Sequence, residues 1–230
     1  HKTFKMNTVN FKKPVLIQFE YQNRFFITER TKVMKKLNVA VFFGGCSSEY
    51  SVSLESASAV ISNLDSTKYN PVLIGISRDG EWYYYTGSVK NIQNDTWKNN
   101  TDCTLAVLSP NRSAHKLLLI GNTILDEIPI DVAFPVLHGK NGEDGTVQGL
   151  IELAGIPLAG CSILASALCM DKDLAHKLAS LAGVSVPKAL VINSESETKA
   201  AKEFAIKIGY PLFVKPVKCG SSYGISKVQN

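Results

Sequence analysis

The chain has 230 residues, of which 45% are hydrophobic and 20% are charged, as is ordinary for a globular protein. Its net charge of +5 arises within residues 1–33, which contain seven Lys or Arg and two Asp or Glu, so the remainder is neutral. A neutral body excludes a broad basic face for nucleic acid, and the apolar runs of residues 1–33 are too short to span a membrane. We therefore expect neither nucleic acid nor a membrane as a partner.

Residues 1–33 differ in pattern from the rest of the chain and are predicted to be an N-terminal extension. The chain begins with His1, whereas Met34 precedes a strand-like run from Leu37 to Phe43 and resembles a natural start. We interpret the extension as vector-derived or as translation upstream of the initiator. A native regulatory arm is the alternative interpretation.

The cysteines are odd in number, with no C-x-x-C pair and no histidine at zinc-ligand spacing: Cys46, Cys103, Cys161, Cys169 and Cys219. This usage indicates reduced thiols and predicts a cytoplasmic location. Cys169 falls in an apolar helical pattern and is expected in the core.

Strand and helix patterns alternate from Leu37 onward, which favours an α/β architecture with a largely parallel sheet. The predicted strands are Leu37–Phe43, Tyr69–Ser77, Trp82–Tyr85, Lys116–Ile120, Thr123–Leu125, Ile130–Leu137, Ala189–Ile192, Leu212–Val217 and Ile225–Val228. The predicted helices are Ser51–Leu64, Thr146–Ala154, Ser162–Met170, Asp171–Leu181 and Glu195–Ile208. Residues 87–101 are polar and are predicted to form a loop.

The first motif, residues 44–49, is named here the glutamate loop and joins the first strand to the first helix. Gly44 and Gly45 allow the backbone to approach a ligand closely, and the serines that follow can cap the helix. Glu49 is placed to receive a substrate ammonium group. On periodicity alone we favour the simpler interpretation, in which Glu49 is a solvated acid that the helix dipole stabilises.

The second motif, residues 138–149, is named the signature turn and lies between a predicted strand and a predicted helix. Such a turn points backbone N–H groups at an anionic ligand. His138 taken alone is more often a core histidine than a ligand-binding one. Glu143 and Asp144 are metal ligands by type, although we do not favour that role.

Two lysines and a third loop complete the set of candidates. Lys172 taken alone is typical of a solvated surface charge, whereas Lys215 ends an apolar run and is predicted to face inward and to need an anion. The segment Gly220–Gly224, named the serine loop, offers N–H and hydroxyl donors to phosphate oxygens; a simple hairpin turn is the alternative.

These segments, in this order, resemble the D-alanine–D-alanine ligase family, ATP-dependent enzymes that make the dipeptide end of bacterial cell-wall precursors. The signature turn is similar to the family's His-Gly-x-x-Gly-Glu-Asp-Gly signature, and the glutamate loop to its Gly-Gly-x-Ser-x-Glu motif. The resemblance covers residues 37–228. Tyr50, directly after Glu49, resembles the vancomycin-resistance branch that joins D-alanine to D-serine.

The resemblance implies a Rossmann-like N-terminal (pre-ATP-grasp) domain over residues 34–165, followed by an incomplete ATP-grasp domain over residues 166–230. It implies that Glu49 anchors the amino group of the first D-alanine and that His138 and Ser221 help to position that substrate. It also implies roles for the residues that remain, with Ser53 in substrate binding and Lys172, Lys215, Ser221 and Ser222 in nucleotide binding.

The implied partners are ATP, D-alanine and a second D-amino acid, either D-alanine or D-serine. Magnesium or manganese is implied, with its ligands expected beyond Asn230 and none among these residues. The resemblance instead gives Glu143 and Asp144 a structural role, in which they orient the signature turn and cap the helix. A homodimer is expected for a full-length protein, and we predict that the 230-residue chain is an inactive fragment. Another ATP-grasp carboxylate–amine ligase and a non-catalytic α/β binding module remain as alternatives.

Overall fold

The computed structural model describes residues 35–99 and 101–229, so the predicted extension over residues 1–33 lies outside the described part of the chain. Seven of the strands form one sheet and two form a separate pair. The strands are β1 Leu37–Gly44, β2 Tyr69–Ile76, β3 Trp82–Tyr85, β4 Cys103–Leu108, β5 Lys116–Ile120, β6 Ile124–Pro129, β7 Val132–Pro135, β8 Leu212–Val214 and β9 Ser226–Val228.

The large sheet has the order β6-β5-β4-β3-β2-β1-β7 and is mixed, which corrects the expectation of a largely parallel sheet. Only β2, β1 and β7 are mutually parallel, and every pairing from β2 to β6 is antiparallel. The reason is that strands β2 to β6 follow one another in space as they do in sequence. Antiparallel neighbours need no helical crossover between them.

Strand β1 is the centre of the fold because both of its faces are buried. Ala40 and Phe42 belong to one apolar cluster, whereas Val39, Val41 and Phe43 belong to another on the opposite face. Successive side chains of a strand point to opposite faces, so a continuous apolar run predicts a strand covered on both sides. This burial holds the carboxyl end of β1, where the glutamate loop begins.

Helices cover the two faces of the sheet. Helix α3 contributes to the cluster that contains Phe42, and α1 and α2 contribute to the cluster that contains Phe43. The helices are α1 Tyr50–Asn63, α2 Val89–Gln93, α3 Thr146–Leu153, α4 Ile163–Met170, α5 Lys172–Leu181 and α6 Thr198–Ile208. None of these described helices is long and apolar enough to cross a membrane.

The predicted loop over residues 87–101 is in part wrong. It contains α2 and a 3-10 helix at Trp97–Asn99, and strand β4 follows it, which the polar pattern did not predict. Ser88 caps α2 by accepting a hydrogen bond from the N–H of Lys90. Trp97, which packs against Phe43, and Ile92 of α2 are both fully buried, so two apolar side chains anchor an otherwise polar segment.

The segment from Ile163 onward has its predicted helices but almost no core, since Ser166 is its one buried side chain among the described residues. Cys169 is exposed, which corrects its expected place in the core. The predicted strand Ala189–Ile192 has no partner strand and is irregular. Strand β8 ends at Val214 rather than Val217, because β9 pairs with only three of its residues.

We expect Gly75→Ala to lower the free energy of unfolding by about 1–3 kcal/mol, because overpacking a close-packed core is destabilising. A Cβ at Gly75 would lie 2.5 Å from the Trp97 ring and 2.8 Å from the Phe43 ring. Urea unfolding measures the change.

The control is Gly149→Ala in α3, whose Cβ would lie 3.8 Å from its nearest neighbour, Ile163. Because alanine favours helix over glycine, this variant is expected to be up to about 1 kcal/mol more stable. Equal effects of the two substitutions would contradict the packing explanation.

Candidate active site

Three loops that are distant in sequence meet around one buried carboxylate, that of Glu49. Glu49 is 4% exposed, and its Oε2 accepts a hydrogen bond from the hydroxyl of Ser221 in the serine loop. A Cβ added at Gly139 or at Gly220 would lie 2.8 Å or 2.9 Å from Oε1 of Glu49. The glycines therefore allow the backbones of the signature turn and the serine loop to approach the carboxylate closely.

The imidazole of His138 is held at both of its nitrogens. Nε2 lies 3.1 Å from the hydroxyl of Ser56 on α1, and Nδ1 lies 3.6 Å from Oε1 of Glu143. The Ser47 hydroxyl donates to the His138 carbonyl at 2.8 Å and joins the glutamate loop to the signature turn. The Ser56 hydroxyl and the nearby Glu143 carboxylate thus restrict the orientation of the ring at the start of the signature turn.

The two carboxylates of the signature turn bind its backbone, which confirms the interpretation that they orient the turn. Glu143 accepts from the N–H of Gly139 at 2.7 Å, and Asp144 accepts from the N–H groups of Asn141 and Thr146 at 2.9 and 3.1 Å. Burial alone would raise the pKa of Asp144, but these backbone hydrogen bonds outweigh it and lower the pKa below its usual value.

Ser53 is fully buried beneath the site. Its hydroxyl accepts from the N–H of Gly44 at 2.9 Å and donates to the carbonyl of Val136 at 2.5 Å. These bonds join the end of β1 to the segment after β7 and so support the floor of the site. Direct contact of Ser53 with a substrate stays a prediction.

The two candidate lysines differ in their surroundings. The ammonium group of Lys172 donates to the carbonyls of Val217 and Cys219, just before the serine loop. Lys215 is exposed, so the prediction that it faces inward is wrong. The apolar residues before it, Phe213 and Val214, are themselves 59% and 57% exposed, because β8 has only β9 as a neighbour.

Two cavities adjoin the Glu49 cluster, with volumes of about 280 Å³ and 510 Å³. His138 and Gly142 line both of them. The larger cavity is also lined by Lys172 and Gly220. Glu143, His138 and Lys172 thus line the larger cavity together, whereas Glu49 lines neither cavity and adjoins the larger one through Gly220. Ser222, at φ +60°, is exposed on the serine loop.

Tyr50 turns away from this region and into the core. Its hydroxyl accepts from Nε1 of Trp97 at 2.9 Å and donates to Oδ1 of Asp95 at 3.1 Å. The guanidinium group of Arg78 lies 3.9 Å from the centre of the Tyr50 ring and 3.0 Å from Oδ2 of Asp95. These four residues are named here the tyrosine cluster.

The comparison with known families identifies the chain. The family described as D-ala D-ala ligase N-terminus matches residues 38–161, more than half of the sequence. The chain belongs to the D-alanine–D-alanine ligase family. The description D-ala D-ala ligase C-terminus matches residues 178–230.

Individual members of the D-alanine–D-alanine ligase family are similar over most of this chain. The crystal structure of the VanG D-Ala:D-Ser ligase from Enterococcus faecalis has a TM-score of 0.76 and 53% identity, and covers 85% of this chain and 56% of that one. A D-alanine–D-alanine ligase of Caldicellulosiruptor bescii is 45% identical over 86% of this chain and 54% of its own length. A vancomycin C-type resistance protein of Enterococcus gallinarum is 46% identical over 85% and 54%. The chain spans about half the length of these relatives.

The family resemblance implied a divalent metal, for which residues 35–99 and 101–229 provide no suitable cluster. No group of three or more His, Cys, Asp or Glu side chains within those ranges could hold a metal ion. The carboxylates of Glu143 and Asp144 are directed at backbone N–H groups of their own turn.

Two features of the site had no clear signal in the sequence. Ser56 was not singled out, although it follows Ser53 by three residues and so lies near the same face of α1. The tyrosine cluster was also missed, because its members are separated by up to 47 residues and make their contacts only in the folded chain.

The pKa of the Tyr50 hydroxyl is raised from 10.0 to about 12, mainly by burial. The hydrogen bond from Trp97 and the positive charge of Arg78 lower this pKa, whereas the carboxylate of Asp95 raises it. Because the folded state keeps Tyr50 protonated, its contribution to stability is full below pH 10 and is lost as the pH rises towards 12. We expect the difference in unfolding free energy between wild type and Tyr50→Phe to fall by about 1–2 kcal/mol across that range.

Urea unfolding at pH 9 and at pH 11.5 measures this difference. Tyr84→Phe is the control, since Tyr84 packs against the apolar cluster on the opposite face of the sheet. A pH-independent difference for Tyr50→Phe would show that its phenol titrates normally.

Proposed function

We propose that the protein acts as an ATP-dependent ligase that joins D-alanine to a second D-amino acid. The carboxylate of D-alanine attacks the γ-phosphorus of ATP, which forms an acyl phosphate and releases ADP. The amine of the second amino acid then attacks the acyl carbon, phosphate leaves with the bonding electron pair, and the amine loses a proton. The supporting observation is the convergence of the glutamate loop, the signature turn and the serine loop on Glu49.

Glu49 is suited to bind the ammonium group of the first D-alanine. Its carboxylate is buried, and none of the ion pairs recorded for the described residues involves it. A buried carboxylate is costly without a cationic partner, and a substrate ammonium group would supply one. Because Ser221 and Gly220 cover the carboxylate, entry of the substrate requires the serine loop to move aside.

His138 supports the same assignment by its position. The ring lines both cavities and lies between Ser56 and Glu143. This position supports its proposed role beside the carboxylate of D-alanine and the transferred phosphoryl group. With Ser221, it would orient the first substrate and help to exclude water from the acyl phosphate.

The proposed nucleotide contacts are Lys172, Lys215 and the hydroxyls of Ser221 and Ser222. Two anions must approach each other in the first step, so cationic groups at the phosphates lower its barrier. Lys172 lines the larger cavity with His138, and its ammonium group would exchange carbonyl partners for phosphate oxygens. Lys215 is exposed and available to a phosphate that approaches from outside.

The second substrate in this proposal is D-serine, with D-alanine as the other candidate. The Glu49–Tyr50 pair and the 53% identity to a D-Ala:D-Ser ligase support D-serine. The 45% identity to a D-alanine–D-alanine ligase supports D-alanine as the other candidate for the second substrate. A cytoplasmic homodimer, expected from the sequence, belongs to the same proposal.

We expect Glu49→Gln to reduce kcat/KM for D-alanine at least about 100-fold, because loss of a buried charged partner removes several kcal/mol of binding. The protein expressed from its complete reading frame is assayed for dipeptide and for ADP release that depends on D-amino acids. Glu55→Gln, an exposed acid on the same helix, is the control and should retain activity.

The same assay separates the alternatives. When the assay is repeated with a full panel of amino acids, ADP release with a different pair of substrates would identify another carboxylate–amine ligase. Unchanged turnover in Glu49→Gln would contradict the assignment of Glu49, and absence of dipeptide formation with every D-amino acid would overturn the proposed function.

Lys172→Met and Lys215→Met are each expected to raise the KM for ATP about 10- to 100-fold, because each removes a charge-assisted contact to phosphate. The KM for D-alanine should change less than about twofold. Steady-state kinetics at varied ATP gives both values. Lys177→Met is the control, since Lys177 pairs with Asp173 on the surface at 2.6 Å and should affect neither value. Equal effects of all three substitutions would argue against specific phosphate contacts.

A further inference from the structure

Tyr50 follows Glu49 directly, yet the two side chains lie in different environments. The Glu49 carboxylate contacts the serine loop, whereas the Tyr50 ring is 3% exposed and belongs to the apolar cluster that contains Phe43. The ring also packs on the end of β1, since a Cβ at Gly44 would lie 3.0 Å from it. Tyr50 therefore has no direct path to a substrate at Glu49.

The hydroxyl of Tyr50 connects the start of α1 to two other segments. Trp97 donates to it from the 3-10 helix, and it donates to Asp95, which pairs with Arg78 from the turn between β2 and β3. Arg78 also stacks on the Tyr50 ring at 3.9 Å. A single phenol thus joins the glutamate loop to both neighbouring segments.

Asp95 has a left-handed backbone with φ of +55°, a conformation that L residues other than glycine seldom adopt. A residue keeps such a conformation when its surroundings determine it strongly. The surroundings in this case are the end of α2, where the N–H groups of Asp95 and Thr96 donate to the carbonyls of Ile92 and Asn91 in a Schellman motif. The Asp95 carboxylate, which this helix end presents, accepts from the Tyr50 hydroxyl through one oxygen and from Arg78 through the other.

The Glu49 carboxylate is closely surrounded, since a Cβ added at Gly139 or at Gly220 would lie 2.8 Å or 2.9 Å from its Oε1. The Glu49 side chain does not cap helix α1. The start of the helix is held instead by the Ser47 hydroxyl, which accepts from the N–H of Glu49, by Ser53 below and by Tyr50 on the side away from the serine loop.

We propose that Tyr50 is a positioning residue for Glu49, and that the tyrosine cluster holds the Glu49 carboxylate where it binds the ammonium group of the first amino acid. This inference rests on the proposed function. It assigns the tyrosine of the Glu49–Tyr50 pair an indirect role: it sets the geometry of the first-substrate site and touches neither substrate.

The test compares Tyr50→Phe with Tyr83→Phe in the protein expressed from its complete reading frame. Tyr50→Phe removes the hydroxyl but keeps the ring, and is expected to raise the KM for D-alanine about 5- to 10-fold, with kcat and the KM for ATP within about twofold of wild type. Tyr83→Phe, which removes a surface hydroxyl bonded to Glu81, should leave all three values unchanged. Arg78→Ala should raise the KM for D-alanine about two- to threefold and provides a second variant if Tyr50→Phe fails to fold.

A double-mutant comparison separates positioning from general destabilisation. In the Glu49→Gln background, Tyr50→Phe should have no further effect on the KM for D-alanine, because the carboxylate that it positions is absent. An equal effect in both backgrounds, or an unchanged KM in the single variant, would overturn the proposal.

Amide hydrogen exchange provides a measurement that does not depend on catalysis. The N–H of Glu49 donates to Ser47, and its exchange should accelerate in Tyr50→Phe but not in Tyr83→Phe. Unchanged exchange at Glu49 would overturn the positioning role. If exchange at Glu49 accelerates but Glu49→Gln leaves the KM for D-alanine unchanged, the positioning role stands and the proposed function is contradicted.

Discussion

The site depends on one buried carboxylate that is held between the backbones of two glycine-containing turns. Gly139 and Gly220 approach Oε1 of Glu49 so closely that any larger residue would displace it, and Ser221 binds its second oxygen. A charge in this position is unfavourable unless it is paired. In the proposed function the ammonium group of an amino acid provides the partner for this charge.

The sheet provides the rigidity that this arrangement requires. Strand β1 is buried on both faces, and it ends where Ser53 joins it to the segment after β7. The glutamate loop and the signature turn thus leave neighbouring parallel strands at the same edge of the sheet, as binding loops commonly do in α/β folds. The tyrosine cluster fixes the start of α1 from the opposite side.

The serine loop and the two lysines belong to a part of the chain with a different character. From Ile163 onward the described residues bury almost nothing, and Lys172 holds the approach to the serine loop through two backbone carbonyls. A loop held by few contacts can open at a low cost in free energy. In the proposed function, this opening admits the substrate to the covered carboxylate. The same sparse packing leaves Lys215 exposed instead of inward-facing.

The sequence by itself determined the alternation of strands and helices, the family, and the grouping of Glu49, His138, Lys172 and Ser221, because these follow from periodicity and from motifs that are continuous along the chain. It did not determine the antiparallel half of the sheet, the exposure of Cys169 and Lys215, or the direction of Tyr50. Each of these depends on which distant segment packs beside the residue. Tyr50 meets Trp97 across 47 residues and Glu49 meets Ser221 across 172, so only the tertiary structure decides which side chain enters the core and which faces the substrate.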